Sequence, residues 1–286
     1  MIYKRNHSMR VRRARKKRVI PGFGISMGVT LTLLSLIILI PMASVILTAS
    51  GLKFEEFMKV VTAKDVMSGY VVSISCALIA ALINCVIGVI LAWVLVRYQF
   101  PFKRILDGLI ELPFALPTAV AGIALTSLYS DKGWIGSIFA KLGIKIAYTK
   151  IGITIAMIFI GIPFVVRAIQ PVLEKLDKQY EEAALMLGAS AKKTFLKVIF
   201  PEIFPAMLTG FGLALARGIG EYGSVVFIAG NIPYETQIAP LLIMQKLEQF
   251  KYSDATAIAL VLLVLSFTLL LINNAIQIYI SKYTTN

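Results

Sequence analysis

Hydrophobic positions fill this chain in long unbroken blocks, not at the alternating or helical intervals of a half-buried element. A run of about 18 or more apolar residues is long enough to cross a bilayer as a helix. The pattern predicts six such helices, at residues 25–47, 70–96, 105–128, 151–166, 203–228 and 255–280. The fourth is short, and its apolar pattern runs on past Arg167 to Gln170, just before Pro171. Helices of a water-soluble protein would carry polar faces at 3.6-residue spacing, and these mostly do not. The expected fold class is an all-α membrane protein with six transmembrane helices. Its expected divisions are a basic segment 1–24, a membrane domain 25–280 that includes a cytoplasmic segment 172–201, and a tail 281–286.

That cytoplasmic segment breaks the apolar pattern with an ordered one of its own. Leu176, Tyr180, Ala183, Ala184 and Leu187 fall at helical spacing and share a face. Gly188 suits the position after a helix end, where the backbone turns left-handed, and Ser190 suits the N-cap of a second helix, 191–200, closed by Pro201. Two short helices meeting at a corner are the result. Ala183 and Ala184 let another protein approach closely, and Glu181 and Glu182 place charge beside them. An amphipathic connector hugging the membrane surface fits the same pattern.

Composition supports the membrane assignment: 58% of the 286 residues are hydrophobic, and mean hydropathy is +0.82. The net charge of +14 opens a nucleic-acid reading, so the placement of the charge matters. Nine of the 29 Lys and Arg precede Ile25, seven of them within 10–18. A basic arm joined to a first span fixes that end in the cytoplasm. With six spans both termini share that side, and Lys and Arg are in excess there. Residues 181–190 then face the cytoplasm, and nucleic acid is not an expected partner. Cys76 and Cys85 lie about 13.5 Å apart along one helix, beyond the ~7 Å reach of a disulfide.

Within the spans, charge is costly, about 2.5–3.5 kcal/mol for Arg at the centre on insertion scales. Arg217 and Glu221 are nevertheless one helical turn apart in the fifth span. A mutually neutralising pair and a polar element of a solute path both fit, and Ser224 continues the same face. Gly212, Ala216, Gly220 and Ser224 form one row of small residues, and Gly210, Ala214 and Gly218 a second. Such rows let helix backbones approach in a bilayer. The third span carries Leu112-Pro113-Phe114-Ala115-Leu116-Pro117-Thr118. Freed backbone N–H groups near Thr118 could hold an anion, and a plain proline kink fits equally.

Catalytic motifs are missing. There is no G-x-x-x-x-G-K-[ST] loop, and no G-x-S-x-G elbow. His7 is the sole histidine, which excludes H-E-x-x-H metal chemistry and Ser-His triads. No metal site and no bound cofactor are expected, and the chain is not expected to be an enzyme.

Glu182-Ala183-Ala184, three residues, Gly188, nine residues, then Val198-Ile199-Phe200-Pro201 resembles the E-A-A-x3-G-x9-I-x-L-P loop of ABC importer permeases. Val198 and Phe200 depart from that pattern. Four further segments resemble the T-type permeases of sulfate/thiosulfate importers: 16–23, 112–122, 162–171 and 220–231. The resemblance implies a type I (MetI-like) importer permease fold. It implies that Glu181, Glu182, Ala183, Ala184, Leu187, Gly188, Ser190 and Pro201 form an ATPase-coupling loop. It implies inward sulfate or thiosulfate transport by alternating access, with ATP-Mg bound by separate ABC ATPase subunits. Partners implied are a W-type permease as heterodimer, an extracytoplasmic sulfate-binding protein and membrane lipid. Arg217, Glu221, Ser224 and Thr118 are candidates for the translocation path or an interior polar pair. The alternatives are a molybdate/tungstate permease of the same superfamily and, from another class, a passive anion channel. The implied location is a bacterial inner membrane or a chloroplast membrane.

Overall fold

A computed structural model describes residues 23–284, with side chains as far as 280. The basic segment before Phe23, with its 10–18 charge run, lies outside the described residues. The chain divides into two units, Met1–Ser44 and Val45–Asn286. Helix α1 (Phe23–Leu34), a π-turn (Ser35–Leu39) and α2 (Ile40–Ser50) form one apolar stretch of 28 residues, matching the first predicted span.

In the second unit, α3 (Phe54–Val61) precedes α4 (Lys64–Arg97), which at 34 residues is about 51 Å long. Helices α5 (Lys103–Ala115) and α6 (Thr118–Tyr129) follow, meeting at a bend of 112°. Then come α7 (Gly136–Lys141), α8 (Lys150–Lys175), α9 (Gln179–Met186) and α10 (Ala191–Thr194). Next are a π-turn (Phe195–Ile199), α11 (Phe200–Ile219) and α12 (Val225–Ile228). Last are α13 (Ala239–Glu248) and α14 (Tyr252–Thr284). No strand occurs among the described residues.

Pairwise contacts fix how the long helices run. The Cys76 thiol reaches the Lys150 carbonyl at 3.8 Å near the start of α8, and Arg97 reaches Leu173 near its end, so α4 and α8 are parallel. Gly210 lies against Val165 and Gly218 against Ala77 and Met157, so α11 runs antiparallel to both. Gly212 lies against Asn273, and Gln277 donates to the Pro205 carbonyl, which makes α14 antiparallel to α11. Two successive parallel helices require the chain to return between them, and the bent α5–α6 pair makes that crossing. With it counted, six apolar segments cross the membrane, and the chain is a multi-pass membrane protein.

The core is the seam of α4, α8 and α11, where Val165, Val166, Ile169 and Leu173 on one face of α8 are wholly buried. Small residues make this seam tight. A Cβ on Gly210 would stand 2.7 Å from the Val165 Cα, and one on Gly88 would stand 2.6 Å from a Val165 methyl. Packing of this kind drives helix association where lipid is as apolar as the side chains.

Several expectations need correction. The third span is not one helix, because Pro117 lacks an N–H and Leu116 is extended at ψ 135°, which turns the chain sharply. The fourth runs on through Pro171 to Lys175; a proline inside a membrane helix is tolerated where neighbouring helices satisfy the freed backbone groups. The fifth ends at Ile219, not 228, so only the Gly210, Ala214, Gly218 row is a helix face; Gly220 and Ser224 lie beyond it. Pro201 does not close a helix. The preceding π-turn, in which the Phe200 N–H bonds to Phe195 O, lets the helix continue from Ala191 to Ile219. The expected tail is part of α14 as far as Thr284.

Candidate functional site: a coupling elbow and a buried polar turn

The first site is the corner between α9 and α10. Helix α9 is short: the predicted helix from Leu176 begins instead at Gln179, because Leu176 already caps the end of α8. Gly188 has φ +78°, the left-handed turn expected of it, and its N–H reaches the Leu185 carbonyl at 2.9 Å. Ser190 accepts from the Lys193 N–H at 3.4 Å, as the N-cap of α10. Glu182 and Ala183 are exposed, Ala184 half-buried. The apolar positions of α9 are not turned inward: Met186 and Leu187 are 89% and 88% exposed, with Leu185 and Tyr180 also open. The elbow therefore presents Leu185, Met186 and Leu187 and the Glu182 carboxylate to whatever meets it. Pro201 lies 13 residues beyond Gly188, in the first turn of α11, away from the exposed corner.

Glu181 is different from its neighbour. It faces inward and its Oε1 lies 2.7 Å from Arg97 Nη2.

The second site is the turn after α11. Arg217 stands in the last turn of that helix, level with Ala77 and Met157, about 10 Å below the first residue of α8. Arg217 Nη1 lies 2.6 Å from Glu221 Oε2, and Glu221 is only 1% exposed. The other oxygen, Oε1, accepts from the Ser224 N–H at 2.8 Å and the Ser224 hydroxyl at 2.9 Å. Both carboxylate oxygens are thus satisfied, as a buried charge requires. Irregular backbone at this depth is tolerated only against protein or a cavity. Helix α6 supplies the protein: Gly122 sits against the Ser224 backbone, and Thr118 sits against Gly223. The four path candidates, Thr118, Arg217, Glu221 and Ser224, are gathered at this one turn. Arg217 keeps 36% of its side chain exposed.

Sequence reading missed three features. Arg97 is one of these, although Trp93, one turn earlier and partly buried, was a signal that this face is covered. Arg167 clamps α5 to α8, with Nη1 2.8 Å from Asp107 Oδ1 and Nη2 2.7 Å from Glu111 Oε1. Asn84 is wholly buried with neither amide atom hydrogen-bonded, against Gly161. A lone amide in an apolar span was the available signal for the last. Among the described residues no cluster of side chains could hold a metal ion.

Both sites fall within residues 84–284, which match the family model described as "Binding-protein-dependent transport system inner membrane component". The chain is 49% identical over 250 residues to the "Probable sulfate transport system permease protein cysT" of Nephroselmis olivacea, covering 87% of this chain and 88% of that one. It is 45% identical over 261 residues to the "Sulfate transport system permease protein CysT" of Escherichia coli strain K12, covering 91% and 94%. Its fold is similar to a chain of a bacterial alginate ABC transporter solved with an alginate pentasaccharide-bound periplasmic protein. There the TM-score is 0.74 at 16% identity, over 90% of this chain and 94% of that one. The MetNI methionine ABC transporter is also similar, with a TM-score of 0.57 over 75% of this chain. A family match over most of the chain, on the fold of importer membrane subunits, has one meaning: the chain belongs to the binding-protein-dependent transport system inner membrane component family.

Proposed function

We propose that this chain is a permease subunit of an ATP-driven importer that carries sulfate or thiosulfate inward by alternating access. The observation that carries the reading is the elbow at Gly188, whose apolar tip stands open while its base is buried against α4. Such a tip suits a groove on a separate ATPase subunit, with Glu182, Ala183, Ala184 and Leu187 in the contact. Ser190 and Pro201 hold the second arm in line with α11. Sulfate as the cargo is taken from the names of relatives sharing almost half of this sequence.

ATP-Mg would be bound and hydrolysed on that ATPase, and this chain would transmit the movement. A second, W-type permease would complete the path as a heterodimer, and an extracytoplasmic binding protein would deliver the anion. The exposed part of Arg217, close to Ser224 and Thr118, would offer the moving anion a weak contact. A tightly bound ion would not be released, so a sparse site fits transport. The membrane is a bacterial inner membrane or its chloroplast counterpart, with both termini cytoplasmic or stromal.

Proteoliposomes holding this chain, the second permease, the ATPase and the binding protein test the proposal. Uptake of labelled sulfate should need ATP, and excess sulfate or thiosulfate should compete better than molybdate or tungstate. Flux without ATP and without the partner subunits would instead identify a passive channel.

A further inference from the structure

Arg97, the last residue of α4, lies at the base of the elbow and touches three residues of two other helix ends. Its Nη1 donates to the Leu173 carbonyl at 3.1 Å, and its Nη2 to the Leu176 carbonyl at 3.2 Å. These carbonyls belong to the end of α8, where the last C=O groups have no partner within the helix. The same Nη2 lies 2.7 Å from Glu181 Oε1 in the first turn of α9. The guanidinium thus sits between the negative end of one helix and the positive end of the next, with a carboxylate completing the site. Its side chain is 9% exposed and that of Glu181 22%, so water screens the pair little.

The second arm of the elbow is held from the same place. The Arg97 guanidinium carbon lies 5.7 Å from the centre of the Trp93 ring, one turn back on α4. Trp93 meets Phe195 edge-on at 5.5 Å, and Phe195 opens the π-turn that leads into α11. The last two turns of α4 therefore grip both arms, through an ion pair on one and an aromatic contact on the other. Arg suits this role and Lys does not, since only a planar fork reaches two carbonyls and a carboxylate together.

We infer that Arg97 is a positioning residue for transport, fastening the elbow to α4 through Glu181 and the end of α8 so that movement of the elbow becomes movement of α4. This rests on the importer reading. Neither Arg97 nor Glu181 reaches the exposed tip, so loosening the pair should leave ATPase docking intact and spoil only transmission.

The test compares wild-type, Arg97→Gln, Arg97→Lys, Glu181→Gln and the Arg97→Gln/Glu181→Gln double variant, each reconstituted with its partner subunits. Three quantities are read: ATPase co-purified, ATP hydrolysed, and sulfate taken up per ATP. Arg97→Gln should keep stoichiometric ATPase and basal hydrolysis, while uptake per ATP falls at least tenfold. Glu181→Gln, which spares the carbonyl contacts, should lower the ratio several-fold, and Arg97→Lys should restore part of it. The double variant should be no worse than Arg97→Gln alone, because the two side chains act through each other. An Arg97→Gln complex with the wild-type ratio overturns the proposal, as does a double variant whose losses multiply. Loss of ATPase from Glu181→Gln also overturns it, by placing Glu181 in the docking contact. Failure of the wild-type chain itself to retain any ATPase strikes the importer reading instead.

Discussion

Removing the Glu221 carboxylate should destabilise the turn after α11 by an amount that its contacts allow to be worked out. Glu221 is 1% exposed and receives the Ser224 N–H at 2.8 Å, the Ser224 hydroxyl at 2.9 Å and Arg217 at 2.6 Å. In Glu221→Ala the buried Ser224 N–H loses its acceptor, at a cost of about 1–3 kcal/mol. Breaking a fully buried ion pair costs about 3–5 kcal/mol. Arg217 is 36% exposed, so its share is discounted to about 1 kcal/mol. The total is about 3 kcal/mol, a drop of about 6–12 °C in Tm at the ~2–4 °C per kcal/mol of a chain near this size. Glu221→Gln keeps an acceptor for Ser224 and should lose about 1 kcal/mol. Arg217→Leu combined with Glu221→Gln should be less destabilised than the sum of the singles, because no unpaired charge remains. Thermal denaturation of the detergent-purified chain, followed by loss of the monodisperse peak, measures all four. A Glu221→Ala variant melting within about 1 °C of wild type would refute the idea that this carboxylate holds the turn. Uptake by the stable double variant then separates packing from conduction: normal transport leaves the pair only a structural part.

Gly188→Val should abolish sulfate uptake while membrane insertion and yield stay normal. Nothing stands within 4 Å of the added Cβ, so the damage comes from φ +78° alone, about 1–2 kcal/mol against a branched residue. Gly188→Asn should transport, since Asn tolerates that conformation. Gly210→Leu should lose most of the folded yield, because its Cβ would stand 2.7 Å from the Val165 backbone. Gly108→Ala, with nothing within 4 Å, should match wild type; size-exclusion yield in detergent compares the two.

Span number, the elbow and the Arg217–Glu221 pairing were legible in the sequence because each rests on local rules. Apolar length marks a span, glycine marks a left-handed turn, and residues four apart on a helix meet. Helix ends within the membrane were not legible. Ile219 and Gly220 look like more of the same small, apolar helix, and what stops it is Glu221 turning forward to hold Ser224. That stop depends on α6 arriving to cover the turn, a contact about 100 residues distant in sequence. Pro201 misled for a related reason. Its missing N–H ends an ordinary helix, but a π-turn just before it spaces the backbone so that the helix goes on. Arg97 stands out in the sequence by nothing except its sign. Its burial depends on the ends of α8 and α9 converging on it, which no window of sequence displays.

The unbroken run from Ala191 to Ile219 sets a mechanical ratio between the two faces of the membrane. Twenty-nine residues at helical rise make a rod about 43 Å long, with the elbow at one end and the Arg217–Glu221 hook at the other. Rocking this rod by about 5° around its middle carries each tip roughly 2 Å, in opposite directions. Two ångströms is enough to break a hydrogen bond at the far tip. Small swings at the water-facing end are therefore geared directly to the grip around Ser224.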